Sequence, residues 1–145
     1  MRLAIMLILA LAGATDSAYL TWYHYDPGIR VCVVTSGCEV VNSSAYAMIG
    51  PLPVAVIGVI GYFLIAATIA IRIWGPPGLG RPAELTAYGL SVLGSGFALY
   101  LTGVEIIVLH ALCGWCLVSA GVIVALCALA AIQIAGADPS TTLSR

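Results

Sequence analysis

Charge is what this chain has least of. Among 145 residues only 8% are Asp, Glu, Lys or Arg, and lysine is absent altogether, so its five basic residues are arginines. A soluble globule of this size cannot be covered by so little polar surface, and with 62% hydrophobic residues the composition is that of a membrane protein. Five basic against six acidic residues give a net charge of -1. That balance offers no basic face for nucleic acid and no acidic disordered tail.

Long apolar runs fill most of the sequence. A membrane-spanning helix needs about 20 apolar residues, and four stretches reach that length, at about 3–23, 52–72, 85–109 and 113–134. The first follows Met1-Arg2, but its apolar run continues through Leu20 with no polar sequence after a small-residue site, so a span is expected there rather than a cleaved signal peptide. Trp74 to Pro82 holds prolines and glycines that mark a short turn. The one long loop runs from about 24 to 51. The expectation is an all-α membrane protein: a single transmembrane domain over residues 1–145, built as a four-helix bundle.

An even number of crossings places both termini and the 74–82 turn on one side, and the long loop and the start of the last span on the other. Arg2, Arg72, Arg81 and Arg145 fall with the termini, and Arg30 alone with the loop. Cytoplasmic flanks retain arginine, so the expectation is a cell-membrane protein with cytoplasmic termini and an extracytoplasmic loop. An inverted insertion would change the compartment and not the chemistry.

Four of the five cysteines form two close pairs on that loop side. Cys113-Gly-Trp-Cys116 opens the last span, where exposed helix amides can stabilise a thiolate on the first cysteine. Cys32 and Cys38 close a short loop containing Gly37. Two dithiols on one membrane face suggest a relay in which a thiolate of one pair attacks the disulfide of the other. The competing readings are a four-cysteine zinc site, disfavoured because C-x5-C is not a usual zinc knuckle, and structural disulfides in a protein without turnover. No metal is expected. Cys127, about 16 Å down the last helix from Cys116, reads as a small buried hydrophobe.

The run Cys38-Glu-Val-Val-Asn-Ser-Ser44-Ala-Tyr46, then Gly50, Pro53 and Gly58-Val-Ile-Gly-Tyr62, together with the two cysteine pairs, resembles the vitamin K epoxide reductase family over about residues 10–125. The resemblance implies a four-helix bundle around a quinone pocket, capped by a half-helix from the long loop. It also implies a membrane thiol oxidoreductase that carries electrons from a thioredoxin-like protein to a ubiquinone- or menaquinone-type acceptor, supporting disulfide formation in exported proteins. By resemblance Cys113 and Cys116 form the disulfide beside the quinone, Cys116 passes electrons to the ring, and Cys32 and Cys38 are the shuttle pair, Cys38 relaying to Cys113. Ser44 occupies the position of the family's loop serine, and Ser43 could substitute for it. Ala120 stands where the mammalian enzymes carry a tyrosine, which argues against epoxide reduction in the strict sense. The chain ends at Arg145 without a fused thioredoxin-like domain, so a separate thioredoxin-like partner is expected.

Other residues gain a reading from physical chemistry alone. Val40, Val41, Tyr46, Met48 and Ile49 make the stretch after Cys38 amphipathic enough to lie in the interface and cap the bundle. Asp16 lies inside the first span, where an ionisable group is costly and rare. Glu105 lies eight residues before Cys113, at a depth expected to be comparable. Either acid could move protons or support the quinone's surroundings; the alternative is that each is bonded to a neighbouring helix through Ser17, Thr21 or Thr102. His24 and His110, with Trp22, Tyr23, Tyr25 and Trp115, read as interfacial anchors, and Trp115 could also pack on a quinone ring. Gly89, Gly94, Gly96 and Gly103 suggest close helix contact along the third span.

Overall fold

A computed structural model describes residues 1–26 and 37–136. Cys32, Arg30 and the 138–145 tail lie outside the described residues. Four long helices, α1 (Arg2–Tyr25), α3 (Val54–Trp74), α4 (Gly80–Ile107) and α5 (Gly114–Ala135), are each apolar and long enough to cross a membrane. The bundle is that of a multi-pass membrane protein. A short helix α2 (Gly37–Asn42) and a two-residue hairpin, β1 (Met48–Ile49) with β2 (Leu52–Pro53), fill the loop between α1 and α3. Gly50, at φ +62, supplies the left-handed residue that so tight a hairpin requires.

Helix boundaries differ from the sequence expectation for local reasons. Leu52 and Pro53 belong to the hairpin, and Pro53, which cannot donate a backbone hydrogen bond, stands at the N-cap of α3. The Gly-Pro turn is shorter than expected, because α4 begins at Gly80 and accommodates Pro82 in its first turn, where no intrahelical N–H is lost. α4 ends at Ile107, and the Val104 carbonyl then accepts from both Val108 and Leu109 as the chain tightens toward His110, at φ 48.

One end of the bundle gathers the arginines. The Arg72 Nε donates to Glu84 Oε1 at 2.6 Å, pinning the last turn of α3 to the first turn of α4. Arg2 approaches Gly136, and Arg81 lies in the first turn of α4. The apolar core sits toward this end, built from Met6, Ala10, Ile65, Ile69, Ala87, Leu126 and Ala130.

The tightest helix contacts fall on α1 and α3. A β-carbon on Gly13 would stand 2.7 Å from Tyr62 Cδ1, and one on Gly58 would stand 2.8 Å from Ser17 Oγ. Of the four third-span glycines, Gly94 alone meets a neighbour, Ile123, while Gly89, Gly96 and Gly103 have open space beside them. Helical spacing of small residues does not say which of them faces a partner. Gly13→Leu is therefore expected to lower stability by about 1–3 kcal/mol through overpacking against the Tyr62 ring. Gly89→Ala, with nothing to displace and a better helix former, is expected to leave it unchanged or raise it. Thermal unfolding of the two variants in detergent checks both.

Candidate active site

The end of the bundle opposite the arginines carries the thiols. α5 starts where it does because Cys113 caps it: the Cys113 sulfur accepts the Cys116 N–H at 3.3 Å, satisfying one of the amides that a helix N-terminus leaves open. That places Cys116 one turn into the helix, facing back on Cys113. The Cys116 thiol also hydrogen-bonds to the Cys113 sulfur and the Glu105 carboxyl.

Cys38 arrives from the loop. It is 2% exposed, Cys113 is 1% exposed, and the two pack with Leu20 in one cluster that Val41, Ala55, Trp115 and Cys116 border. The Cys38 side chain is a hydrogen-bond partner of the Cys113 sulfur. Gly37 makes this possible. A β-carbon there would collide with the Leu112 carbonyl oxygen and stand 2.7 Å from the Leu112 nitrogen, so the first turn of α2 lies directly on the backbone preceding Cys113.

Glu105 completes the group. Only 3% exposed, its carboxyl accepts the Cys113 N–H at 3.0 Å. The expected partners on neighbouring helices are not the ones used: Thr21 bonds back to the Ser17 carbonyl and Thr102 to the Ala98 carbonyl, each on its own helix. Nor do the two acids share a depth. Glu105 sits at the rim with Cys113, because α4 ends two residues later, whereas Asp16 lies within reach of Ser119, more than one turn further down α5.

The Cys113 thiol is pulled below the ordinary thiol range, first by the hydrogen bond from the Cys116 side chain and then by the Cys116 amide and Cys38. Burial and the Glu105 charge oppose this. Cys113 is therefore the thiolate of the pair, as the helix-start position anticipates.

Beside the thiols a cavity of about 390 Å³ opens between the four long helices, a size suited to a ring-bearing ligand. Its wall is mostly apolar, with Cys113, Cys116, Glu105, Ser119 and Tyr62 among its few polar groups. Val41, Asn42, Ser44, Tyr46 and Ala47 close it from the loop side, so the expected cap is α2 and the turn after it. Ser44 lines the cavity, its Oγ donating to the Val41 carbonyl at 2.7 Å. Ser43 lies on the exposed side and donates to the Glu39 carbonyl at 2.7 Å. Trp115 turns away from the cavity and packs on Tyr19, ring centroids 5.3 Å apart. Cys127 is half-buried rather than fully buried.

A family model described as the vitamin K epoxide reductase family matches residues 4–131. The chain belongs to that family. Membership in the vitamin K epoxide reductase family makes it a membrane oxidoreductase of thiols and quinones. Ala120 lines the cavity and offers no hydroxyl from that point of the wall. The Asp16, Tyr62 and Ser119 group is the part sequence reasoning missed: Asp16 stood out by its charge, while Tyr62 and Ser119 carried no signal that they meet it.

Two outcomes test this geometry. A lowered pKa keeps the thiolate present at lower pH than an ordinary thiol, so the earliest step in thiolate ultraviolet absorbance with rising pH should vanish in Cys113→Ala and move to higher pH in Cys116→Ala. In protein carrying Cys32→Ala and Cys116→Ala, mild oxidation should cross-link Cys38 to Cys113. Adding Gly37→Val should slow that cross-link about tenfold or more, because small displacements of reacting groups are costly.

Proposed function

We propose that this protein oxidises a separate thioredoxin-like protein and passes the electrons to a lipid quinone, thereby supporting disulfide formation in exported proteins. The observation that carries the reading is the meeting of the Cys38 side chain with the Cys113 sulfur in the wall of a largely apolar cavity. Cys32 and Cys38 receive electrons from the partner, Cys32 exchanging with it and Cys38 relaying inward. Arg2, Arg72 and Arg81 at the opposite end of the bundle favour cytoplasmic termini and an extracytoplasmic thiol end.

The chemistry follows from what each residue can do. Cys38 attacks Cys113, breaking the Cys113–Cys116 disulfide and forming a transient Cys38–Cys113 mixed disulfide; Cys32 then attacks Cys38, so that the Cys32–Cys38 disulfide forms and Cys113 and Cys116 are left reduced. The bonds to Cys113 from the Cys116 side chain and amide stabilise the thiolate that this exchange releases. A bound quinone supplies a two-electron, two-proton acceptor. Cys116, in the cavity wall, delivers the electrons as the Cys113–Cys116 bond re-forms, and Glu105 accepts the Cys116 proton. Ser44 and Tyr46 hold the loop-side wall that keeps water from the reacting sulfur.

Cys113→Ala and Cys116→Ala should each abolish quinone reduction, while Cys32→Ala should spare turnover driven by a small dithiol that reaches the inner pair directly. Following ring absorbance of purified protein with quinone and dithiol measures both, and undiminished turnover in the inner-pair variants would remove the mechanism. A protein with purely structural disulfides would leave ring absorbance unchanged in every variant, wild type included.

A further inference from the structure

Below the thiols the bundle holds a carboxyl that the electron path does not use. Both Asp16 oxygens are buried, and neither has a hydrogen-bond partner among the described residues. It sits where α1, α3 and α5 meet. The Ser119 hydroxyl of α5 lies within its reach, and the Tyr62 hydroxyl of α3 lies within its field. Tyr62 donates to the Ser119 carbonyl at 2.7 Å, and the Tyr62 and Ser119 hydroxyls are 3.2 Å apart. The Tyr62 ring is held in place by Gly13, one turn before Asp16. Tyr62 and Ser119 line the cavity; Asp16 stands behind them.

A carboxylate without a counter-charge is expensive at membrane depth, whereas a carboxyl that keeps its proton is tolerated there. An unpartnered acid behind two cavity hydroxyls is thus a stored proton placed to reach the cavity through them. Ser119 is three residues beyond Cys116 on α5, about 4.5 Å of rise and on the same face. A ring lying against Cys116 would have one oxygen toward Glu105 and the other toward Ser119.

Building on the quinone-reducing reading, we infer that Asp16 is the proton source for the ring oxygen remote from the thiols, acting through Ser119. As two electrons leave the Cys113–Cys116 dithiol and the S–S bond forms, the oxygen nearer the thiols takes the proton that left Cys116. The other takes the Ser119 hydroxyl proton, which Asp16 replaces. Asp16 regains a proton from water, matching the one Cys113 released to water on becoming a thiolate. The sum is dithiol plus quinone giving disulfide plus hydroquinone. Tyr62 holds Ser119 in register; Ser119 touches the substrate, and Asp16 acts behind it as a positioned donor.

The test uses full-length protein with a small dithiol and a soluble quinone analogue. Asp16→Asn should lower kcat roughly a hundredfold, the usual scale of a lost acid catalyst, with kcat/KM for the dithiol unchanged because the dithiol half-reaction is untouched, and Asp16→Glu should restore most of the lost kcat. The solvent deuterium isotope effect on wild-type turnover should change in Asp16→Asn. Independently of turnover, infrared spectra of the quinone-free protein should contain a carboxylic-acid C=O band that shifts in D2O and is missing from Asp16→Asn. Should Asp16→Asn fail to fold, Ser119→Ala, which keeps the Tyr62 bond to the backbone carbonyl, is expected to show the same kinetic loss. Wild-type kcat in either variant, or no such band, overturns the inference alone. A wild-type protein that reduces no quinone overturns the parent reading and this one with it.

Discussion

The chemistry of this protein rests on a missing side chain. Gly37 lies on the Leu112 backbone so closely that no β-carbon fits, and that contact sets the next residue, Cys38, against Cys113. Residues 38 and 113 belong to segments separated by two membrane crossings, and a dithiol relay needs their sulfurs to touch. The contact also seats α2 over the bundle, so the glycine that brings the sulfurs together also seats the segment whose Val41 and Asn42 close the cavity. Exchange and exclusion of water are thus coupled through one backbone approach.

Within the inner pair the two sulfurs are made unequal by position. Cys113 stands before the helix and receives the amide of Cys116. Cys116 stands inside the helix, one turn on, beside an acidic side chain. The Glu105 carboxyl on the Cys113 N–H holds this N-terminus in place, yet its charge opposes the thiolate it helps to position. A carboxyl that takes the Cys116 proton would relieve that opposition by becoming neutral. The acid near the thiols is therefore better read as a partner of the cysteines than as a structural tie between helices.

The four spans, the shared location of Cys38, Cys113 and Cys116 and the thiolate character of Cys113 were all legible in the sequence, because length, parity of crossings and helix-start chemistry determine them. What was not legible depends on facing. Ser43 and Ser44 are adjacent and alike, and only the turn after α2 decides which one points inward. Trp115 lies between two cavity cysteines in sequence, but helical rotation turns it to Tyr19. Equal spacing from the interface suggested equal depth for Asp16 and Glu105, and the early end of α4 removed that equality. No periodicity argument reports these rotations in a bundle whose outer face is as apolar as its core.

The same four helices are closed at one end and open at the other, and residue size explains why. Toward the arginine end Met6, Ile65, Ile69 and Leu126 interdigitate, and the Arg72–Glu84 pair fixes α3 to α4. Toward the thiol end the inward positions carry Gly58, Gly61, Gly94, Ala98 and Ala120, which line the cavity. In lipid, small residues are expected to draw helices together. Gly58 does so against Ser17, and Gly94 against Ile123, whereas Gly61 has open space beside it. Tyr62 marks the boundary between the two regimes, its ring packed on Gly13 in the core and its hydroxyl at the cavity wall. A substitution that enlarges a cavity-lining glycine would thus act on the space for a ligand, whereas the same change at Gly13 acts on the packing that holds the bundle together.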